Sequence, residues 1–186
     1  MLFGDRSECD YAACYCEENV FKLCQRIPEN ERESYFAVFI SNELRCIPLW
    51  SQKAATERPY VVWDYHVILI GKSEEESLVF DLDSTLDFPC PFDEYWQQTI
   101  QPNIVVHEKF RRKFRIIRSD EYLTHFSSDR SHMKKQDGTW MKPPPPWDCP
   151  NASKPCNIEK FISMNSNDLS QISQVLGEFQ MHEFFG

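Results

Sequence analysis

Two apolar segments separated by a short acidic segment constrain the fold of this chain most strongly. Residues 61–70 and 78–82 are rich in β-branched and aromatic residues, which is typical of buried β-strands. The segment between them, residues 71–77, contains a glycine, two serines and three glutamates and is suited to a turn. The pattern predicts a β-hairpin, and therefore a sheet in which at least these two strands are antiparallel.

The remaining segments predict further strands and several helices. Val20, Leu23 and Cys24 recur at helical spacing within residues 19–26, and Pro28 ends that helix. Further strands are predicted at residues 35–40 and 47–50, with a strand or an amphipathic run at 110–117. Further helices are predicted at residues 92–100, 157–162 and 168–179. We therefore expect an α+β fold, with helices packed on a largely antiparallel sheet.

Length and composition limit the class of protein. The chain has 186 residues, 41% of them hydrophobic. We expect one domain over residues 1–186, because a single core usually extends over about 100–200 residues. The net charge of −9 argues against nucleic acid, whose binding requires a clustered basic surface. The basic, aromatic run at residues 109–115 is then better explained by pairing with local carboxylates.

We expect neither a membrane protein nor a secreted one. No run approaches the roughly 18 apolar residues of a membrane-spanning helix, and no apolar leader follows the first methionine. A cytosolic or nuclear location keeps thiols reduced, so the eight cysteines are expected to be free. An exposed cysteine in such a chain is more readily reactive than bridged.

Cys16, His66 and Asp81 supply a thiol, an imidazole and a carboxylate in chain order. Such a set can carry out nucleophilic attack on an acyl or amide carbon. A hairpin whose turn is centred between Ser73 and Glu74 places His66 directly opposite Asp81. We expect this carboxylate to accept the imidazole Nδ1–H and so to orient the ring.

Among the cysteines, Cys16 is the candidate nucleophile. It lies just before the predicted helix, where the first N–H groups favour a thiolate and can stabilise a developing oxyanion. Cys14, two residues earlier, is its rival. Cys24 lies on the apolar face of the helix, and Cys46 and Cys90 are flanked by apolar residues or proline. These three are expected to be core thiols.

Other interpretations of these residues stay open. Eight cysteines and five histidines can produce a Cys/His/Asp set by chance, and such groups can be ordinary hydrogen-bonded core residues. A structural zinc site is disfavoured, because the spacings Cys14-x-Cys16 and Cys149-x6-Cys156 lack paired C-x2-C motifs. The proline run at residues 143–146 is either a ligand for SH3- or WW-type domains or a stiff spacer over the fold.

Seven short motifs, taken together, resemble those of the protein N-terminal glutamine amidohydrolases. In order they are Cys14-Tyr-Cys-Glu-Glu-Asn19, Ala37-Val-Phe-Ile-Ser-Asn42, Trp63-Asp-Tyr-His-Val67, Asp81-Leu-Asp83, Phe110-Arg-Arg-Lys-Phe-Arg115, Ser128-Asp-Arg-Ser-His-Met133 and the four prolines at 143–146. No single motif is decisive, but seven in order over residues 14–164 make the resemblance specific.

The resemblance implies a monomeric three-layer α-β-α sandwich with a cysteine-hydrolase core like that of papain and transglutaminases. It implies deamidation of N-terminal glutamine to glutamate in the N-degron pathway, on protein or peptide substrates, without a metal or an organic cofactor. The family's nucleophile falls on Cys16, its histidine on His66 and its aspartate on Asp81. The alternative is a transglutaminase-like or protease-like thiol enzyme that acts on internal residues with the same triad.

Recognition of a chain terminus requires binding of a free α-ammonium. A buried unpaired cation is costly, so we expect one or two carboxylates in the substrate pocket. Alternation along the first hairpin strand places Asp64 and His66 on one face and Trp63 on the other. Asp64 is therefore the first candidate for this role. Glu17 and Glu18, which follow the nucleophile, are its rivals.

Overall fold

The structure, a computed structural model, describes residues 2–186 and has an antiparallel six-stranded sheet at its centre. The strands are β1 (Tyr35–Ser41), β2 (Ile47–Trp50), β3 (Tyr60–Trp63), β4 (His66–Lys72), β5 (Ser77–Phe80), β6 (Cys90–Pro91), β7 (Lys113–Arg118) and β8 (Ser173–Gly177). The central sheet has the order β6-β5-β4-β1-β7-β8, and β2 pairs with β3 separately. The predicted α+β class and antiparallel sheet are confirmed.

Short helices connect and cover these strands. They are α1 (Cys16–Arg26), α2 (Phe92–Tyr95), α3 (Ser119–His125), α4 (Ile158–Ile162) and α5 (Glu178–Phe185). A π-helical turn (Trp96–Ile100) continues α2, and 3-10 segments occupy Arg6–Glu8, Glu29–Ser34, Glu108–Phe110 and Ser131–Met133. Within residues 2–186, no helix has the length and apolar character needed to cross a membrane.

Helices pack on both faces of the sheet, because strand alternation gives it two apolar faces. On one face, Phe39 of β1 and Val67 of β4 lie in a cluster with residues of α1, α3 and α4. On the other face, Val38 and Ile68 from the same two strands join residues of α2, α5 and β2. These strands are buried on both sides, which is why they read as continuous apolar runs in the sequence.

The predicted hairpin forms, but its register and the extent of its first strand differ from the prediction. Leu69 of β4 faces Phe80 of β5, so the turn is centred one residue later than predicted. The single strand predicted over residues 61–70 is wrong, because the chain leaves the small sheet at Trp63 and enters the central sheet only at His66. Alternation does not carry across this break. The Trp63 ring instead stacks on His66, with centroids 5.8 Å apart.

The C-terminal region also differs from its prediction. Residues 168–179 do not form a helix. The first part is a turn, and β8 then pairs with β7, with Val175 opposite Arg115. Without β8, β7 would be an edge strand with unpaired backbone groups, and this pairing satisfies them. The helix follows as α5, closer to the C-terminus.

The basic run at residues 109–115 is used within the fold. Arg115 is fully buried, and its guanidinium donates two hydrogen bonds to the Ser163 carbonyl, at 3.0 and 2.6 Å. Arg112 is also buried and pairs with Glu178 at 2.8 Å. Arg112 therefore pairs with a carboxylate, as predicted, but Glu178 lies 66 residues away in sequence and is not a local partner.

A buried ion pair ties the start of α1 to the loop around Arg130 and to the proline run. Arg130 donates to both carboxylate oxygens of Glu18, at 2.8 and 2.7 Å, and the Trp147 indole donates to one of them at 2.9 Å. Arg130 also donates to the Pro145 carbonyl at 3.3 Å. Pro145 is buried, whereas Pro143, Pro144 and Pro146 are exposed, so the run is anchored to the fold at one residue.

Replacing Arg130 with methionine is expected to lower the free energy of unfolding by about 3–5 kcal/mol, because the Glu18 carboxylate is then buried without its cation. The measurement is urea denaturation followed by tryptophan fluorescence. In the double variant Arg130→Met, Glu18→Met, both charges are gone and most of the loss should be recovered. A single variant within about 1 kcal/mol of the parent would show that the pair is effectively solvated.

Candidate active site

Cys16 is the first residue of α1, and hydrogen bonds of Asn19 fix where that helix begins. The Asn19 side chain accepts from the Ala12 amide at 2.8 Å and donates to the Ala12 carbonyl at 3.0 Å. The Asn19 amide closes the first turn on the Tyr15 carbonyl at 2.9 Å. The chain arrives through Cys14, whose φ of 68° is in the left-handed region. These contacts hold Cys16 at the helix start.

The Cys16 thiol is buried beside the strand that carries His66. Cys16 is 9% exposed and lies in the same core cluster as Val67, whose backbone acts to lower the pKa of the thiol. Val67 directly follows His66 at the beginning of β4. The sulfur also lies 3.7 Å from Oε2 of Glu17. The structure therefore brings the candidate nucleophile to the end of the sheet at which the candidate imidazole lies.

His66 and Asp81 form a buried pair. They are 1% and 3% exposed, and His66 Nε2 lies 3.0 Å from Asp81 Oδ1. The predicted contact is confirmed, but its nitrogen is Nε2 and not Nδ1, which leaves Nδ1 to exchange a proton with a reacting group. Moving the centre of the turn by one residue shifts a strand partner by two positions. Asp81 directly follows Phe80, the last residue of β5, so it is not paired with His66. It lies at the same end of the hairpin, and its side chain still reaches the ring.

Donors from several elements surround the Asp81 carboxylate. The Gln52 amide and the Tyr95 hydroxyl donate to Oδ2, at 3.1 and 2.9 Å, and the Asp83 amide donates to Oδ1 at 2.9 Å. Burial raises the pKa of Asp81, but the charge and hydrogen bond of His66, together with the donors from Gln52 and Asp83, lower it to about 2. Asp81 is therefore an anion at neutral pH. Sequence reasoning missed Gln52 and Tyr95.

The protonation state of the thiol differs from the prediction. Burial raises the pKa of Cys16 well above its usual range, and the charges of Glu17 and Asp83 raise it further. The helix-terminus effect expected from its position is outweighed. Burial lowers the pKa of His66, but Asp81 outweighs burial and leaves that pKa raised. A raised pKa favours the thiol over the thiolate, so attack requires a base that takes the thiol proton.

The three carboxylates predicted to bind an ammonium lie in different settings. Asp64 is exposed, and its Oδ1 accepts from the Tyr65 amide at 2.9 Å. Glu18 is fully buried, and the ion pair described above takes up both its oxygens, which leaves no acceptor free for a substrate. Glu17 is also fully buried. Its Oε1 has no hydrogen-bond partner within residues 2–186, and His132 Nε2 lies 3.6 Å away.

One group of side chains in the described part of the chain could hold a metal ion. His66, Asp81 and Asp83 each offer a ligand atom, and the three atoms lie within 4.8 Å of one another. A metal bound through His66 Nε2 would separate that nitrogen from Asp81. The carboxylates of Asp81 and Asp83 lie close together here, so this position also favours the binding of other positively charged groups.

Comparison with known proteins points to one family. A family model described as N-terminal glutamine amidase matches residues 11–185. A relative from Bos taurus, named protein N-terminal glutamine amidohydrolase, is 47% identical over 165 residues, which cover 86% of this chain and 80% of the relative. Relatives of the same name from Homo sapiens and Caenorhabditis elegans are 46% and 44% identical, over 86% and 94% of this chain and 80% and 95% of their own. From the matched model and this identity, the chain belongs to the N-terminal glutamine amidase family.

Proposed function

We propose that this chain hydrolyses the side-chain amide of an N-terminal glutamine in proteins or peptides, giving glutamate and ammonia. One observation carries the proposal: Cys16 opens α1 and packs with Val67 at the start of β4, and the neighbouring His66 is hydrogen-bonded to buried Asp81. The name of relatives that are 47% and 41% identical describes the same reaction.

The first half of the reaction transfers the acyl group to sulfur. His66 Nδ1 accepts the Cys16 proton, because Nε2 is held by Asp81. The thiolate forms a bond to the side-chain amide carbon, and the carbonyl electron pair moves to oxygen. N–H groups at the start of α1 stabilise that oxyanion. The imidazolium then protonates the nitrogen, the C–N bond breaks, and ammonia leaves a thioester.

The second half releases the product. His66 takes a proton from water, which attacks the thioester carbon, and collapse of the tetrahedral intermediate returns the thiol and leaves glutamate. In both halves Asp81 holds the Nε2–H and stabilises the imidazolium. None of these steps uses a metal or an organic cofactor.

The proposal extends to the fold relationship and the cellular setting. A cysteine that opens a helix packed on an antiparallel sheet, with a histidine at the start of a strand, supports a core like that of papain and transglutaminases. From the family resemblance, we also propose a monomer in the cytosol or nucleus that supplies N-terminal glutamate to the N-degron pathway. Asp64, exposed near the site, stays a candidate for a contact with the substrate.

Mass spectrometry of a peptide that begins with glutamine tests the reaction. The peptide should gain about one dalton as one ammonia is released, because –NH2 is replaced by –OH. A peptide carrying the same glutamine at an internal position, incubated with a primary amine, is the comparison. Cleavage of the chain, or incorporation of the amine at the internal glutamine, would instead indicate a protease-like or transglutaminase-like enzyme.

N-acetylation of the same peptide should lower kcat/KM by at least about 10²-fold, because it removes the α-ammonium and leaves the carboxylates of the site without their counter-charge. Ammonia release is measured for the free and the acetylated peptide at equal concentrations. Equal rates would show that the protein does not recognise the free α-ammonium of the peptide.

A further inference from the structure

Several carboxylates lie around the candidate nucleophile, and they differ in how far their charge is compensated. Asp81 is surrounded by donors, and Asp64 is exposed, so water screens its charge. Glu17 is fully buried, with Oε1 unpartnered within residues 2–186 and 3.6 Å from His132 Nε2. The other oxygen of Glu17 accepts from the Tyr65 hydroxyl at 3.1 Å, so only Oε1 is an open acceptor. Asp83 is the remaining carboxylate.

Asp83 is half-buried, and its carboxylate has a single hydrogen bond within residues 2–186. The Tyr11 hydroxyl donates to Oδ1 at 2.6 Å. The nearby cation is Lys53, but its ammonium donates to the Leu82 carbonyl at 2.9 Å and lies over the Tyr11 ring, 5.4 Å from the centroid. Burial raises the pKa of Asp83 even though the charge of His66 lowers it. One oxygen of Asp83 is therefore free to bind a cation from outside the protein.

Asp83 also lies close to the candidate base, His66. One of its oxygens is within 4.8 Å of a His66 ring nitrogen and of an Asp81 oxygen. The Lys53 amide donates to the Asp83 carbonyl at 2.8 Å, which holds this segment in place. A glutamine side chain spans about 5 Å from its amide carbon to its α-nitrogen when extended. A terminal glutamine whose amide lies at Cys16 can therefore place its ammonium near Asp83.

We infer that Asp83, oriented by the Tyr11 hydroxyl, binds the α-ammonium of the terminal glutamine during deamidation. The inference rests on the proposed function and names the residue that makes the site specific for a chain end. The bound cation also offsets the carboxylate charge that raises the pKa of Cys16 in the free protein. Discrimination between terminal and internal glutamine should then appear in the acylation rate as well as in binding.

The test compares two peptides that are identical except at the first residue, which is glutamine in one and des-amino-glutamine in the other. The wild-type protein should prefer the first by about 10²–10⁴-fold in kcat/KM. Asp83→Asn should reduce that preference to less than about tenfold, because the amide keeps the Tyr11 contact but carries no charge. Its activity on the des-amino peptide should change by less than about fivefold.

Asp64→Asn tests the rival carboxylate, because it removes another negative charge near the thiol. If Asp83 and not Asp64 binds the ammonium, the preference for the glutamine peptide should stay unchanged in this variant. A structural defect lowers activity on both peptides equally, whereas loss of the ammonium contact lowers activity only on the peptide that begins with glutamine. Iodoacetamide labelling of Cys16 without substrate gives a second readout. Asp83→Asn should label faster than wild type at neutral pH, because the thiol has lost a neighbouring negative charge, although its turnover of the glutamine peptide is slower.

An unchanged preference in Asp83→Asn overturns the inference, and so does a preference that collapses in Asp64→Asn instead. If Asp83→Asn fails to fold, Tyr11→Phe decides: it removes an exposed hydroxyl and should reduce the preference about threefold to tenfold, and no reduction overturns the inference. If the wild-type protein releases no ammonia from the glutamine peptide, the proposed function fails first and the inference falls with it.

Discussion

Replacing Cys16 with alanine should abolish ammonia release from a glutamine-initiated peptide, with a loss of about 10⁴-fold or more in kcat/KM. A methyl group cannot form the thioester, so water would have to attack an unactivated amide directly. Wild-type protein quenched in acid should carry an adduct equal to the peptide mass less one ammonia, and the variant should carry none. Intact-protein mass spectrometry detects both states.

Cys14→Ala is the matched control for this prediction. Cys14 lies two residues earlier, is half-buried, and has a φ of 68° that is equally strained for cysteine and alanine. The backbone before α1 is therefore the same in the variant and in the parent, and activity should stay within about tenfold of wild type. The opposite pattern, with Cys16→Ala active and Cys14→Ala inactive, would reverse the assignment of the nucleophile.

The candidate triad could be predicted from sequence because each member lies beside an element boundary with a strong local signal. Cys16 precedes an apolar pattern of helical period, and His66 and Asp81 flank an acidic turn. The error in the turn centre did not separate His66 from Asp81, because both residues lie at the same end of the hairpin. The ring orientation of His66 could not be predicted, because it depends on where a distant helix places the thiol.

The residues that hold Asp81 carry no local signal. Gln52 lies in a polar loop, and its approach depends on an isolated bridge to Ser84 in the segment that follows Asp81. Tyr95 lies on α2, and its position in the helical pattern predicts only that it is a buried residue of the core. Contacts of this kind join segments that hydrophobic periodicity treats separately.

The errors have the same origin. Glu18 follows the nucleophile and was an attractive ligand for a cation, but Arg130, which lies 112 residues away in sequence, binds both its oxygens. A strand pattern over residues 61–70 shows that the chain is extended, and does not show that it passes from one sheet to another. Likewise, β8 forms because it pairs with the otherwise free edge of β7, and the sequence of residues 168–179 alone does not predict this pairing.

Asp81→Asn should lower kcat/KM by about 10²–10⁴-fold in a protein that still folds. Asparagine keeps a carbonyl oxygen for His66 Nε2–H but loses the charge that stabilises the imidazolium. The new NH2 group faces donors, but Gln52 can turn its amide over and accept from it, because Gln52 Oε1 is buried without a partner within residues 2–186. Circular dichroism and urea denaturation check that the variant folds.

The pH dependence of the same variant separates charge from structure. Asp81, with a pKa of about 2, is charged at working pH and raises the pKa of His66 against the effect of burial. In Asp81→Asn burial remains and the charge is gone, so the pKa of His66 falls. Attack requires neutral His66 as the base. The acidic limb of the kcat/KM profile should therefore move to lower pH in the variant, beneath a lower plateau.

The free energy of unfolding should depend on pH through the same two groups, Asp81 and His66, in opposite directions. The lowered pKa of Asp81 contributes stability that is present above its ordinary 3.8 and is lost as the pH falls towards 2. The raised pKa of His66 contributes stability that is present below its ordinary 6.5 and is lost as the pH rises through the raised value. The difference in free energy of unfolding between wild type and Asp81→Asn should thus be largest between pH 3.8 and pH 6.5. It should become smaller at lower pH and at higher pH.

Tyr95→Phe is the matched control, because it removes one buried donor to Asp81 Oδ2 and leaves the charge. Losing that donor raises the pKa of Asp81, but from about 2 it can rise by a full unit and the group stays ionised at neutral pH. The expected loss of activity is under about tenfold, with the acidic limb unmoved. If Tyr95→Phe and Asp81→Asn lost activity equally and neither profile shifted, Asp81 would support the fold without tuning His66, and the proposed role of its charge in catalysis would be wrong.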